Sequence, residues 1–146
     1  MSRRVEDTTD RAPVTGASLE DLDPRGVDRL LAELRTSRSD VLDGIDEGNQ
    51  VAALQRLNIL TRDGVPTFAG YVTLAAYPQQ EFPRLVVDVC VHPGTAKSQE
   101  DSVRFIDRQA CDGPVPLMVD DAVAAVAHNL RRRRVVRGTL AEDVLE

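Results

Sequence analysis

The spacing of the hydrophobic residues changes halfway along this 146-residue chain, and this change constrains the fold more than any other feature. Between residues 27 and 78, apolar residues recur at intervals of three and four, which is typical of amphipathic helices. From Leu85 to Val91, every second residue is apolar, which is the pattern of a strand. A helical first half followed by a strand-containing second half predicts an α+β fold.

Three helices are predicted in the first half. An apolar stripe indicates a helix over residues 25–36, and a second helix is expected over residues 46–57. Thr67 is a suitable N-cap for a third, very apolar helix over residues 68–77, which Pro78 ends.

The second half predicts a small sheet and a long helix. Strands are expected over residues 85–92 and 103–111, antiparallel to each other. Pro116 suits the first turn of a helix that runs to about Leu130. The apolar stripe of this helix consists of Val119, Ala122, Val123, Val126 and Leu130.

We therefore expect N-terminal helices packed on a small, mainly antiparallel sheet, with a long helix after the second strand. Residues 1–17 are polar and lack apolar periodicity, so they are expected to form a flexible arm or linker. Residues 18–146 are expected to form a single domain, with a helical part over 18–78 and a sheet-plus-helix part over 84–146.

Charge and hydropathy narrow the class of protein. The chain has 18 cationic and 24 acidic residues, a net charge of −6, which argues against a protein that coats nucleic acid through its overall field. No apolar run approaches the roughly 18 residues that a membrane span requires. The first eleven residues are charged and lack the apolar segment of a secretory signal. We expect a cytoplasmic protein without a membrane partner.

A cluster of arginines is the candidate binding site. Its members are Arg131, Arg132, Arg133, Arg134 and Arg137. Arginine binds oxyanions through two parallel hydrogen bonds, so the cluster could hold the phosphates of a nucleic acid. Alternatively, the run forms the solvated C-terminus of the preceding helix, where cations complement the helix dipole. A helix would splay the run around its axis and a strand would divide it between two faces, so neither makes one flat patch.

Three acidic residues, Asp88, Asp107 and Asp112, lie in or beside the predicted strands. Carboxylates on one side of a sheet could bind a metal ion or perform acid–base catalysis, so a metal-dependent hydrolase that uses Asp88 and Asp107 is one hypothesis. It requires both carboxylates to point to the same side of the sheet. An ion pair of Asp107 with Arg108, or a hydrogen bond of Asp107 to the backbone, explains that residue equally well.

The two cysteines, Cys90 and Cys111, fall in predicted strands and could lie near each other in a sheet. We expect two buried thiols that act as small apolar residues. Their spacing matches no zinc-binding pattern. The sequence contains no nucleophile–histidine motif and no glycine-rich phosphate loop, so we expect no catalytic residue, no metal site and no cofactor.

Five short stretches carry a resemblance to a known family. They are residues 57–60 (LNIL), 66–70 (PTFAG), 77–83 (YPQQEFP), 104–108 (RFIDR) and 111–116 (CDGPVP). Together they resemble the middle region of bacterial transcriptional regulators that carry a Schlafen-type AlbA-like domain and are described as RecG-related or ATP-binding proteins. Residues 13–22 resemble the link that follows the AlbA-like domain in that family.

In this family, the nucleic-acid-binding domain precedes the middle region, and an ATP-binding fold and a winged helix follow it. The ATP-binding and DNA-binding positions of the family have no counterparts here, so none of its site residues can be assigned to this chain. The resemblance implies a non-catalytic structural or regulatory module that positions or dimerises adjacent DNA-binding and ATP-binding parts. The longer parent protein would bind nucleic acid through its other domains, and it could bind or hydrolyse ATP.

Three functions thus remain open from the sequence. The leading one is the non-catalytic module, which could form a homodimer through an exposed strand edge. The alternative is direct nucleic-acid binding through the arginine cluster. The third is the metal-dependent hydrolase.

Overall fold

The computed structural model describes residues 9–37, 39–91, 107–130, 132–137 and 140–145. The chain divides into two compact units, Met1–Pro83 and Arg84–Glu146. We call them the helical unit and the sheet unit. Among the described residues, an antiparallel strand pair and four α-helices, the last of which is the long helix after the second strand, confirm the α+β prediction. Among the described residues, no helix has both the length and the hydrophobicity needed to cross a membrane.

The described residues of the helical unit form three α-helices. They are α1 (Pro24–Ser37), α2 (Gln50–Arg56) and α3 (Phe68–Leu74). Its core consists of apolar side chains from all three helices and from the segments between them. These buried residues are Val14, Leu22, Val27, Leu31, Leu42, Ala53, Leu54, Ile59, Leu60, Tyr71 and Ala75.

Two helix ends differ from the sequence prediction for local reasons. Helix α2 begins four residues later than expected, because the Asn49 side chain accepts a hydrogen bond from the Ala52 amide and caps the helix there. Helix α3 stops at Leu74 rather than residue 77. Its C-cap, Ala75, is extended and forms a β-bridge with Leu22, so the chain leaves the helix before Pro78 can end it.

The described part of the arm predicted for residues 1–17 belongs to the helical unit instead. Val14 is only 6% exposed and packs in the core, and its amide donates to the Pro66 carbonyl over 2.9 Å. The Phe68 amide donates to the Ala12 carbonyl over 2.8 Å, and Pro13 forms a β-bridge with Thr67. One apolar residue and a short run of backbone hydrogen bonds are enough to hold this segment. Residues 1–8 lie outside the described residues.

Thr67 caps helix α3, as predicted, and it also joins that helix to the end of α2. Its hydroxyl accepts from the Gly70 amide over 3.1 Å and donates to the Asn58 carbonyl over 2.7 Å. The Thr67 amide donates to the Ile59 carbonyl over 2.9 Å. At the same place Gly70 lies so close to Ile59 that a Cβ on Gly70 would come within 2.9 Å of the Ile59 Cα. Only glycine fits here.

The described residues of the sheet unit form one strand pair, one helix and a second strand pair. Strands β1 (Val87–Val91) and β2 (Asp107–Cys111) are antiparallel, and helix α4 (Val115–Asn129) packs against both. Strands β3 (Arg132–Arg137) and β4 (Leu140–Leu145) form a separate antiparallel pair. Residues 103–106 of the predicted second strand lie outside the described residues.

The contact between Gly70 and Ile59 predicts the effect of adding one methyl group. Gly70→Ala should destabilise the helical unit by about 1–3 kcal/mol, because the methyl group overlaps backbone atoms that cannot move aside freely. Gly48→Ala is the matched control, since a Cβ there meets no atom within 4 Å. Urea unfolding of both variants checks this. Equal midpoints for the two variants would contradict the proposed close packing.

Candidate functional site

Helix α4 covers one of the two faces of the β1–β2 ribbon, which we call the helix face. The register pairs Val87 with Cys111 and Val91 with Asp107, and all four residues belong to this face. Cys111 is buried, and the Asn129 side chain of α4 donates to the Asp107 carboxylate over 3.0 Å. The same Asn129 amide nitrogen donates to the Ala125 carbonyl within the helix. These contacts fix the orientation of the helix on the ribbon.

The opposite face of the ribbon carries Asp88, Cys90, Arg108 and Ala110. The Arg108 guanidinium holds the Asp88 carboxylate from two nitrogens, with Nε donating to Oδ1 over 3.1 Å and Nη2 donating to Oδ2. This paired hydrogen bond lowers the pKa of Asp88 and raises the pKa of Arg108. Both side chains are exposed, so this is a surface ion pair.

The acidic residues therefore do not converge. Asp88 and Asp107 belong to opposite faces of the ribbon, with Asp88 held by Arg108 and Asp107 held by Asn129. Asp112 is exposed and follows the end of β2. Across the part of the chain that the structure describes, no three His, Cys, Asp or Glu side chains are grouped to hold a metal ion. The geometry that the hydrolase hypothesis requires is absent from this ribbon.

The cysteines lie on different faces and in different environments. Cys111 is buried on the helix face, and its burial raises the pKa of the thiol. Cys90 is exposed on the opposite face, where its register partner is Arg108. The expectation of two buried thiols is thus wrong for Cys90. Helix α4 packs on the other face of the ribbon, so it does not cover the face on which Cys90 lies.

The exposed side of α4 carries a stripe of apolar residues. Val119, Val123, Val126 and Leu130 are between 37% and 64% exposed, whereas Met118 and Ala125 are buried. We call these four exposed residues the outer face of α4. It is almost the same stripe that the sequence singled out as apolar. The helix has apolar residues around most of its circumference, so periodicity alone could not tell which side packs on the ribbon.

The arginine cluster lies on a strand, not at a helix terminus. Helix α4 ends at Asn129, Leu130 is extended, and Arg132, Arg133, Arg134 and Arg137 belong to β3. The interpretation of these residues as a helix C-terminus is therefore wrong, and Arg131 lies outside the described residues. The register aligns Arg134 with Asp143 and Val135 with Glu142. Acidic residues of β4 thus stand opposite the middle of the cluster.

Comparison with known proteins adds no identification. No protein-family model, curated protein or solved structure matches this chain. The resemblance to regulators with an AlbA-like domain stays a prediction, and the function has to be inferred from the chain's own residues.

The helical unit contains a cavity of about 300 Å³ next to Pro13, Phe68 and Phe82. This volume is at the lower end of the range for ligand pockets, about 300–1,000 Å³. Glu81 is the ionisable side chain among the described residues that line it. One carboxylate in a mostly apolar lining provides no pair of titratable groups for acid–base chemistry. We assign no catalytic site to this cavity.

The Asp88–Arg108 pair predicts a pH-dependent contribution to stability. Because its pKa is lowered in the folded chain, Asp88 stabilises the fold above its ordinary pKa of about 3.9 and loses this contribution as the pH falls through the lowered value. Asp88→Asn should lower the unfolding midpoint slightly at pH 7, since the pair is exposed. The difference from wild type should vanish as the pH falls below the lowered pKa.

Urea unfolding across this pH range checks the prediction. Asp112→Asn removes the same charge from a nearby exposed position and serves as the control. A difference between Asp88→Asn and wild type that persists in acid would show that the ion pair is not its source.

Proposed function

We propose that this chain is a non-catalytic structural module of a bacterial transcriptional regulator, which associates with a second copy and positions neighbouring DNA-binding and ATP-binding parts. The observation that carries the proposal is the outer face of α4. A helix of a monomeric soluble domain normally turns its apolar stripe inward. Here the stripe is exposed, which is typical of an interaction surface.

Two features of the sheet unit support self-association. The β1–β2 ribbon has two strands, and among the described residues no further strand pairs with either outer edge. Such edges have unpaired backbone groups that can pair with another chain. A two-stranded ribbon and one helix also enclose only a small hydrophobic core, and packing against a second copy would enlarge it.

The positions of the carboxylates support a non-catalytic role. Asp88 and Asp107, the pair best placed by sequence for metal or acid–base chemistry, are each engaged by a neighbouring side chain on opposite faces of the ribbon. A structural interaction with a neighbouring side chain therefore explains the presence of each carboxylate without a catalytic role.

Self-association predicts a molar mass above that of the 16.0 kDa monomer. Size-exclusion chromatography with light scattering, over a dilution series, should give a mass that approaches twice the monomer mass at high concentration and falls on dilution. A constant monomer mass at high concentration would overturn the association proposed here.

A second candidate function is nucleic-acid binding through Arg131, Arg132, Arg133, Arg134 and Arg137. The observation that favours it is the position of the described members on an antiparallel two-stranded ribbon, an element that the DNA major groove can admit. The register, which pairs Arg134 with Asp143 and Val135 with Glu142, argues against it, because two acidic residues in β4 lower the net positive charge of this ribbon.

Replacing all five cluster arginines by alanine tests this second function. If the cluster binds phosphates, wild type should bind a fluorescent DNA at low salt with an affinity that falls steeply as salt rises, and the variant should bind weakly with a smaller salt slope. The control changes the net charge equally by replacing five exposed arginines of the helical unit by alanine, namely Arg11, Arg25, Arg29, Arg56 and Arg62. Equal losses in both variants, or no binding by wild type, would rule out a specific role for the cluster.

A further inference from the structure

The outer face of α4 has the spacing of a helix–helix seam. Its residues Val119, Val123, Val126 and Leu130 follow one another at intervals of four, three and four. This is the alternation of three and four that keeps apolar residues facing a partner helix in a coiled coil. Val123, near the middle, is 64% exposed. The seam provides four layers of contact, three from the 15-residue helix and the fourth from Leu130, the C-cap residue that follows it.

We propose that this seam packs against the same seam of a second copy, with the two α4 helices antiparallel and related by a two-fold axis. This inference rests on the proposed self-association and names the surface that performs it. It places Val119 against Leu130 of the partner subunit and Val123 against Val126 of the partner subunit, and each contact occurs twice.

Charge complementarity identifies the occupant as a second copy. Asp120 is exposed beside the seam in the N-terminal half of α4. At the other end, the sequence continues from Leu130 directly into four arginines, so chain connectivity keeps positive charge near the C-terminus of α4. An antiparallel pair brings the acidic end of each helix to the cationic end of the other. A parallel pair would bring like charges together and align the two helix dipoles unfavourably.

The seam itself contains no charge that such a pair would bury. Val119, Val123, Val126 and Leu130 are all aliphatic. Packing them against each other removes exposed apolar surface without desolvating an ionised group. The charged residues lie beside or beyond the seam, where they set the orientation.

A charge at the centre of the seam tests the surface. Val123→Asp should raise the dimer dissociation constant at least about a hundredfold, because two carboxylates would be buried against an apolar partner. Leu117→Asp is the matched control, since Leu117 is 50% exposed on the same helix but lies off the seam. It should dimerise as wild type does. Circular dichroism of both variants verifies that the helix is intact.

Cross-linking tests the orientation in the 146-residue chain with Cys90 replaced by serine. An antiparallel pair places residue 119 beside residue 130 of the other copy, while the two copies of residue 119 lie about 16 Å apart along the helix axes. A mixture of Val119→Cys and Leu130→Cys chains should therefore form a disulfide-linked dimer on mild oxidation. Each variant alone should cross-link far less.

The outcomes separate this inference from the function on which it rests. A wild-type dimer that Val123→Asp dissociates and Leu117→Asp does not, with cross-linking in the mixture, supports the antiparallel seam. A wild-type dimer that persists in Val123→Asp overturns the seam and leaves association through a strand edge. Cross-linking of Val119→Cys with itself alone overturns the antiparallel arrangement. A monomeric wild type overturns both the seam and the proposed association.

Discussion

The close approach of α3 to the segment after α2 is the constraint on which the helical unit depends. Thr67 is 2% exposed, and its hydroxyl connects the Gly70 amide to the Asn58 carbonyl. Asn58 has a φ of +56°, a left-handed conformation that asparagine adopts more readily than most residues. This turn directs the Ile59 carbonyl to the Thr67 amide. The N-terminal segment then joins the same region, since Pro13 forms its bridge with Thr67.

The parts of the fold that sequence predicts well are those in which one local signal is sufficient. Thr67 caps α3 because its hydroxyl oxygen accepts a hydrogen bond from the Gly70 amide, which has no partner within the helix. This interaction is local, so it does not depend on where the helix packs. The alternation from Leu85 to Val91 predicts β1 because successive side chains of a strand point to opposite faces. In the ribbon, only one of these two faces packs against α4. The start of α4 follows from Pro116, whose missing amide hydrogen is not needed in the first turn.

The predictions that failed concern segments whose structure depends on contacts with another part of the chain. Residues 9–17 look like a linker because their few apolar residues have no helical or strand periodicity, whereas Val14 is buried and its amide donates to the carbonyl of Pro66, more than fifty positions away. The side of α4 that packs on the ribbon is decided by Met118, Ala125 and the bond of Asn129 to Asp107, not by the larger apolar stripe. For the arginine cluster, helix and strand were both compatible with the sequence, and the partner strand β4 decides between them.

The two units differ in how completely the described residues bury their apolar surface. In the helical unit, three helices enclose a core that includes fully buried Ala53 and Leu54. In the sheet unit, Met118 and Ala125 of α4 are buried, whereas Val119, Val123 and Val126 remain exposed. A two-stranded ribbon is marginally stable without further packing. If the outer face of α4 pairs with a second copy, dimerisation contributes to the folding of this unit by mass action, and its stability rises with protein concentration while that of the helical unit does not. The exposed stripe is then a structural element that is completed on assembly, and the sheet unit is the part of the chain in which folding and association are coupled.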